Sequence, residues 1–232
     1  MTTEIKNNIL HKVTALFFKY GIKSVTMDDI ARELGMSKKT LYQFFEKKND
    51  LLAQIMVCEN ERDEKMMCFV LEHSENAVDE MMGFAKHGIE EFAKMKTSPT
   101  IMYDLQKYYR DIWQQFETGI HERIYIATKN NIERGKLEGL YRPDMDAEVI
   151  AKLYVGQLMS LINEDVFPSK SYDKVRVFQQ YLIYHIYGIA TPKGIALFES
   201  KMKELFRWLD EWVIRWLCES QKSLNHLITQ SP

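Results

Sequence analysis

The chain has 232 residues, with 31 Lys+Arg against 33 Asp+Glu and a formal charge of −2. Apolar residues make up 46% and charged residues 28%, with only 10 Gly and 5 Pro, which fits one or two globular domains and excludes collagen-like, disordered and low-complexity chains. Cys58, Cys68 and Cys218 show no CxxC spacing, which argues against a disulfide framework or a zinc module; with no signal-peptide h-region and no membrane-length apolar run, a reduced, cytoplasmic protein without a membrane partner is expected.

Apolar residues recur at helical spacing almost throughout. Ile9, Val13, Leu16, Phe17 and Tyr20 form one stripe, closed by Gly21 at the position of a C-terminal cap. Thr26 begins a capping-box-like start with Asp29 three positions on, and Ile30, Ala31 and Leu34 face inward up to Gly35. Ser37 is a good N-cap for a third short helix, 38–45, buried through Leu41 and Phe45. Longer helices are predicted over about 49–73, 76–95 and 100–134, the last bent near Thr118-Gly119, with Pro99 at a helix start. Ile124–Ala127 is the best strand candidate, but it sits in a helical pattern and is read as helix. Asp146 caps a helix through Asn163, Asp173 opens one to Ile189, and an amphipathic helix fills about 195–220. The fold class predicted is all-α, with residues 1–48 as one domain and 49–232 as a second.

Two short helices joined by a turn at Gly35 are the pattern of a helix-turn-helix, whose second helix enters a major groove. Ser37, Lys38, Lys39, Thr40, Tyr42 and Gln43 are its exposed residues, and Lys, Gln, Thr and Ser are types that read base edges. Residues 1–50 carry +3, leaving −5 for the remainder, so positive charge gathers where a phosphate backbone would lie. Lys47 and Lys48 follow near the start of the next helix, where free N–H groups favour an anion.

The string Ile9…Ala15-Leu16-Phe17…Tyr20-Gly21…Thr26…Ile30-Ala31…Leu34-Gly35-Met36-Ser37…Thr40-Leu41-Tyr42…Phe45…Lys48…Leu51 resembles the DNA-binding domain of TetR-family (tetracycline-repressor-like) regulators. The resemblance implies an all-helical homodimer with a C-terminal ligand-binding domain, an operator in double-stranded DNA, and Thr26, Lys38, Lys39, Thr40, Tyr42 and Lys48 as DNA contacts. Phe44 departs from the pattern: many relatives carry a His or Tyr there that bonds a phosphate.

The middle helices are rich in Met and aromatic residues. Met67, Phe84, His87, Tyr103, Tyr109, Trp113, Phe116 and Tyr125 are the candidates for lining a pocket for a small apolar or amphipathic effector, with His87 or His121 as a polar anchor. Wide apolar stripes on the two helices after Asp146 and Asp173 make Leu153, Leu158, Ile162, Phe178, Tyr181 and His185 candidates for an isologous dimer interface, with Gly156 allowing close approach. Trp208, Trp212 and Trp216 form a ridge in the stretch 205–220, read as packing on the chain's body or its mate. No Glu-x-x-His, zincin, GxxxxGK[ST], GxGxxG or GxSxG motif occurs, so no enzyme, catalytic residue, metal site or cofactor is expected. The function predicted is a ligand-responsive regulator, a repressor by default and an activator as the alternative.

Overall fold

A computed structural model describes residues 2–97 and 99–205 of the chain. Its elements are α1 (Thr2–Tyr20), α2 (Met27–Glu33), α3 (Lys38–Phe44), α4 (Lys48–His73), α5 (Ala77–Thr97), α6 (Pro99–Tyr108), α7 (Arg110–Leu137), α8 (Ala147–Ile162) and α9 (Lys174–Ile189). A helix over residues 192–205, here α10, follows. Among the described residues the only bridge pairing is the isolated contact Tyr141–Ala190, so the fold is all-α as predicted. The Trp ridge at 208, 212 and 216 lies outside the described residues.

Local chemistry explains most helix starts. Thr26 Oγ1 accepts from Asp29 N at 3.1 Å while Asp29 Oδ2 accepts from Thr26 N at 3.0 Å, a complete capping box opening α2. Ser37 Oγ accepts from Thr40 N at 3.0 Å and opens α3. Asp146 accepts from Glu148 N and Val149 N, and Asp173 from Val175 N, each satisfying donors that a helix start leaves unpaired. Gly21 and Gly35 take φ of +81° and +63°, a left-handed conformation that costs other residues energy, and these two turns set the angles between α1, α2 and α3.

At the bend expected near Thr118-Gly119, α7 continues without a break. The chain breaks instead at Tyr109, with φ −129° and ψ 45°, dividing α6 from α7. Leu105 and Trp113, on either side of the break, both pack into the cluster formed by α1–α4.

Two clusters of buried residues organise the molecule. One joins Ile9, Val13, Phe17, Ile30, Leu41, Phe45, Leu51, Leu52 and Ile55 with Leu105 and Trp113. The other, larger one is built from α5 and α7–α10 around Met81, Ile89, Ile132, Tyr141, Leu182 and Phe198. A polar network locks one end of the larger cluster. Buried Glu80 pairs with Arg134 at 2.8 Å, Arg134 also holds Glu138 at 2.7 Å, and Glu138 accepts from Ala77 N. The Tyr141 hydroxyl stands 3.1 Å from both Ala77 O and Asn131 Oδ1, and Asn131 Nδ2 donates to Ala77 O. Every charge there has a partner, the condition under which buried ions are tolerated. The Tyr141 ring fits only because residue 135 is Gly: a Cβ there would come within 2.1 Å of Tyr141 Cδ2.

Candidate nucleic-acid interface and interior cavity

The α3 helix rests on Leu41, fully buried, and presents its other faces outward. Lys39, Tyr42 and Gln43 are exposed, and Thr40 is half-buried with its hydroxyl 2.8 Å from Ser37 Oγ. Lys38 reaches across to α2, its ammonium 2.6 Å from Asp28 Oδ1, and this hydrogen bond raises its pKa. It therefore pins the two short helices together while remaining on the surface. Thr26 and Ser37 are also exposed, but their hydroxyls serve the caps of α2 and α3, so their first role is to fix where the exposed side chains stand. Phe44 is half-buried against the N-terminal cluster.

Lys48 is placed differently from the sequence expectation. Its ammonium turns inward, donates to Ile22 O, and lies over the rings of Phe17 at 5.7 Å and Tyr109 at 6.0 Å. Desolvation lowers its pKa. Its position at the first residue of α4 puts the side chain over the α1–α2 turn, where the Ile22 carbonyl accepts its hydrogen bond. The exposed cation at this helix start is Lys47.

Beneath this domain, α4, α5, α6, α7, α8 and α9 leave a cavity of ≈ 230 Å³. Scaled from the ~150 Å³ void that holds benzene, it has room for roughly ten heavy atoms. Of the eight candidates, Met67, Phe84, His87, Trp113 and Phe116 line it. Tyr103, Tyr109 and Tyr125 do not. Tyr103 is exposed on α6 and accepts from Lys107, Tyr109 sits at the α6–α7 break against the N-terminal cluster, and Tyr125 packs on the outer side of the larger cluster. His121 is also off the cavity, with a buried Nε2 that lacks a hydrogen bond. Sequence reasoning missed the polar part of the lining: Asp63, Glu91, Glu117 and Arg123. The signal was present, since Asp63 and Met67, and His87 and Glu91, each stand one helical turn apart on a shared face.

The candidate dimer residues divide. Leu153 is 54% exposed on α8. Phe178, Tyr181 and His185 are buried inside the single chain, whereas Leu158 and Ile162 are half-buried and, with Phe178, line the cavity. Gly88 admits the Phe178 ring, whose Cζ would lie 2.9 Å from a Cβ at that position. The Tyr181 hydroxyl donates to Tyr154 O at 2.9 Å, and the His185 ring packs 4.6 Å from that of Tyr154. Burial among these rings lowers the His185 pKa to about 4, so the imidazole is neutral. The apolar side chains that α8 and α9 do leave outside are Val149, Leu153, Tyr184 and Tyr187.

Residues 9–55 match the model of a family described as bacterial regulatory proteins, tetR family. The HTH-type transcriptional repressor KstR2 of Mycolicibacterium smegmatis is 21% identical over 203 residues, spanning 82% of this chain and 92% of its own length. A transcriptional regulator from Cytophaga hutchinsonii superposes with a TM-score of 0.66 at 18% identity, over 82% of this chain and 99% of that one. A regulator from Saccharomonospora viridis solved in complex with choline superposes at 0.62 and 21% identity, again over 82% and 99%. No helix among the described residues is long and apolar enough to cross a membrane.

Proposed function

We propose that the chain is a DNA-binding transcriptional regulator of the TetR family, and within that family a dimeric repressor released from a palindromic operator by a small, largely apolar molecule. The observation that carries this reading is the position of Trp113. Its side chain lines the cavity and is also part of the cluster on which the helix-turn-helix rests. A molecule that displaces the indole acts on both.

In the DNA-bound state two copies of α3 stand about 34–36 Å apart and enter successive major grooves. Lys39, Thr40, Tyr42 and Gln43 meet the duplex, Lys47 approaches a phosphate, and Lys38 and Lys48 hold the helices that present them. The twofold contact is made by Val149 and Leu153 of α8 with Tyr184 of α9. A Cβ at Gly156 or Gly188 would meet nothing within 4 Å, so both helices have faces on which a second backbone can come close. An effector in the cavity shifts α7 at Trp113 and, through Leu105 and Trp113, tilts the domain carrying α3. It does so only by binding the tilted state more tightly, a coupling of ~1–3 kcal/mol. The KstR2 relative is named a repressor and the Saccharomonospora chain holds a small molecule, which supports both halves of the proposal.

The test uses the full chain and DNA from upstream of its own gene. Fluorescence anisotropy at rising salt should give a log K that falls linearly with log[salt], and a compound that raises the melting temperature of the protein should lower its DNA affinity. A flat salt dependence, or stabilising compounds that leave DNA affinity untouched, sinks the reading.

A further inference from the structure

We propose that Asp63, His87 and Glu91 form a binding site for a divalent transition-metal cation in the wall of the cavity. The inference rests on side-chain geometry and stands whether or not the chain releases DNA as described above. His87 and Glu91 lie one turn apart on α5, and Asp63 faces them from α4. One ligand atom from each residue falls in a set whose members all lie within 4.8 Å of one another. His87 Nε2 is 3.4 Å from Asp63 Oδ1. Bonds of ~2.0–2.2 Å around a tetrahedral ion put its ligand atoms about 3.4 Å apart, so this edge already has the spacing that a bound ion imposes.

A second observation comes from Asp63 alone. Its Oδ1 is buried and has no hydrogen bond, with His87 Nε2 standing 3.4 Å away. A carboxylate oxygen in that position needs a positive partner. Arg62 supplies only part of the charge: its guanidinium is 3.8 Å from Asp63 Oδ1 and 3.3 Å from Glu91 Oε1, while it is held 2.5 Å from Glu59 on the outer side. One imidazole with two carboxylates is a mixed nitrogen–oxygen donor set, suited to zinc, cobalt, iron(II) or manganese rather than to the softer ions that select thiolates. All three residues line the cavity, so the remaining coordination positions open into it, to be filled by water or by a donor atom of whatever occupies the space. Spacing along the chain hides the site, because the third ligand comes from a neighbouring helix.

The probe is Co2+ alone, titrated into tag-free full-length protein stripped with a chelator. One ion per chain is expected, with weak visible d–d bands and without the intense near-ultraviolet band of a cobalt thiolate. Asp63→Asn and His87→Gln, which keep side-chain volume, should each weaken binding by about tenfold or more, a lower bound taken from the loss of outer-shell partners alone. His11→Gln, on the exposed face of α1, should leave it unchanged. Circular dichroism of each metal-free variant reports folding, and if one variant fails to fold the other decides. Equal affinity in all four proteins, a thiolate band, or no saturable binding overturns the proposal.

Discussion

The helix-turn-helix region and the cavity region solve opposite packing problems. Around α1–α3 the interior is filled by Val13, Ile30 and Leu41, all with no exposure, and the chemistry stands outside on short, firmly capped helices. Around α4, α5 and α7–α9 the chemistry faces inward, and the interior holds an unfilled space with polar groups at its wall. A surface that must match a rigid duplex is served by caps and small tight turns. A site that must respond to an occupant is served by incomplete packing, since a filled core has nothing left to gain from a guest.

The contrast is broken most strongly at the one residue the two regions share. Trp113→Ala should cost ~3–5 kcal/mol and lower hydrogen-exchange protection in α1 and in α5 together; protection lost in only one of them would show that the regions are energetically separate. The next effect belongs to the interior alone. The His185 pKa is about 4 in the folded chain against an ordinary 6.5 when unfolded. Its burial as the neutral form contributes fully above pH 6.5, and the contribution falls away as pH drops toward 4, by about 3 kcal/mol in total. Chemical denaturation between pH 7 and 4.5 should therefore show a steeper decline for the wild type than for His185→Leu. Parallel curves would remove His185 as the cause.

Smaller effects sharpen the outer region. Lys39→Ala should lose ~1–3 kcal/mol of discrimination between operator and mismatched DNA, whereas Lys48→Ala should lower stability by about 1 kcal/mol and leave the salt slope of DNA binding unchanged. A salt slope that drops by about one unit in Lys48→Ala would return that lysine to the phosphate contacts. Thr26→Ala should cost about 1 kcal/mol in unfolding free energy through loss of the α2 cap, with no change in base preference in a binding-site selection.

What could be read from the residues alone follows the same division. Thr26, Ser37, Asp146 and Asp173 act within three positions of themselves, so their caps are legible in the sequence. The break at Tyr109 is not, because no Gly or Pro stands near it in residues 106–111. Phe178, Tyr181 and His185 form a clear apolar stripe, but a stripe does not say whether it faces the chain's own core or a second copy; in this chain Tyr154 and the space left by Gly88 receive these side chains. Asp63 and Glu91 look like ordinary solvated charges until α4 and α5 are brought side by side. Lys48 reads as a phosphate contact by position and is drawn inward by the carbonyl of Ile22.

The sharing of Leu105 and Trp113 has a consequence for anyone who would graft the reading head onto another regulator. A cut after residue 48 leaves behind Leu51, Leu52, Ile55, Leu105 and Trp113, all of them buried in the cluster that supports α3. It also severs the bond from Lys23 N to Asp104 Oδ2, 2.8 Å long and spanning 81 positions of chain. A chimera that keeps only the first three helices would inherit the letters of recognition without the floor they stand on, so a working swap has to carry the matching surface of α6 and α7 along with it.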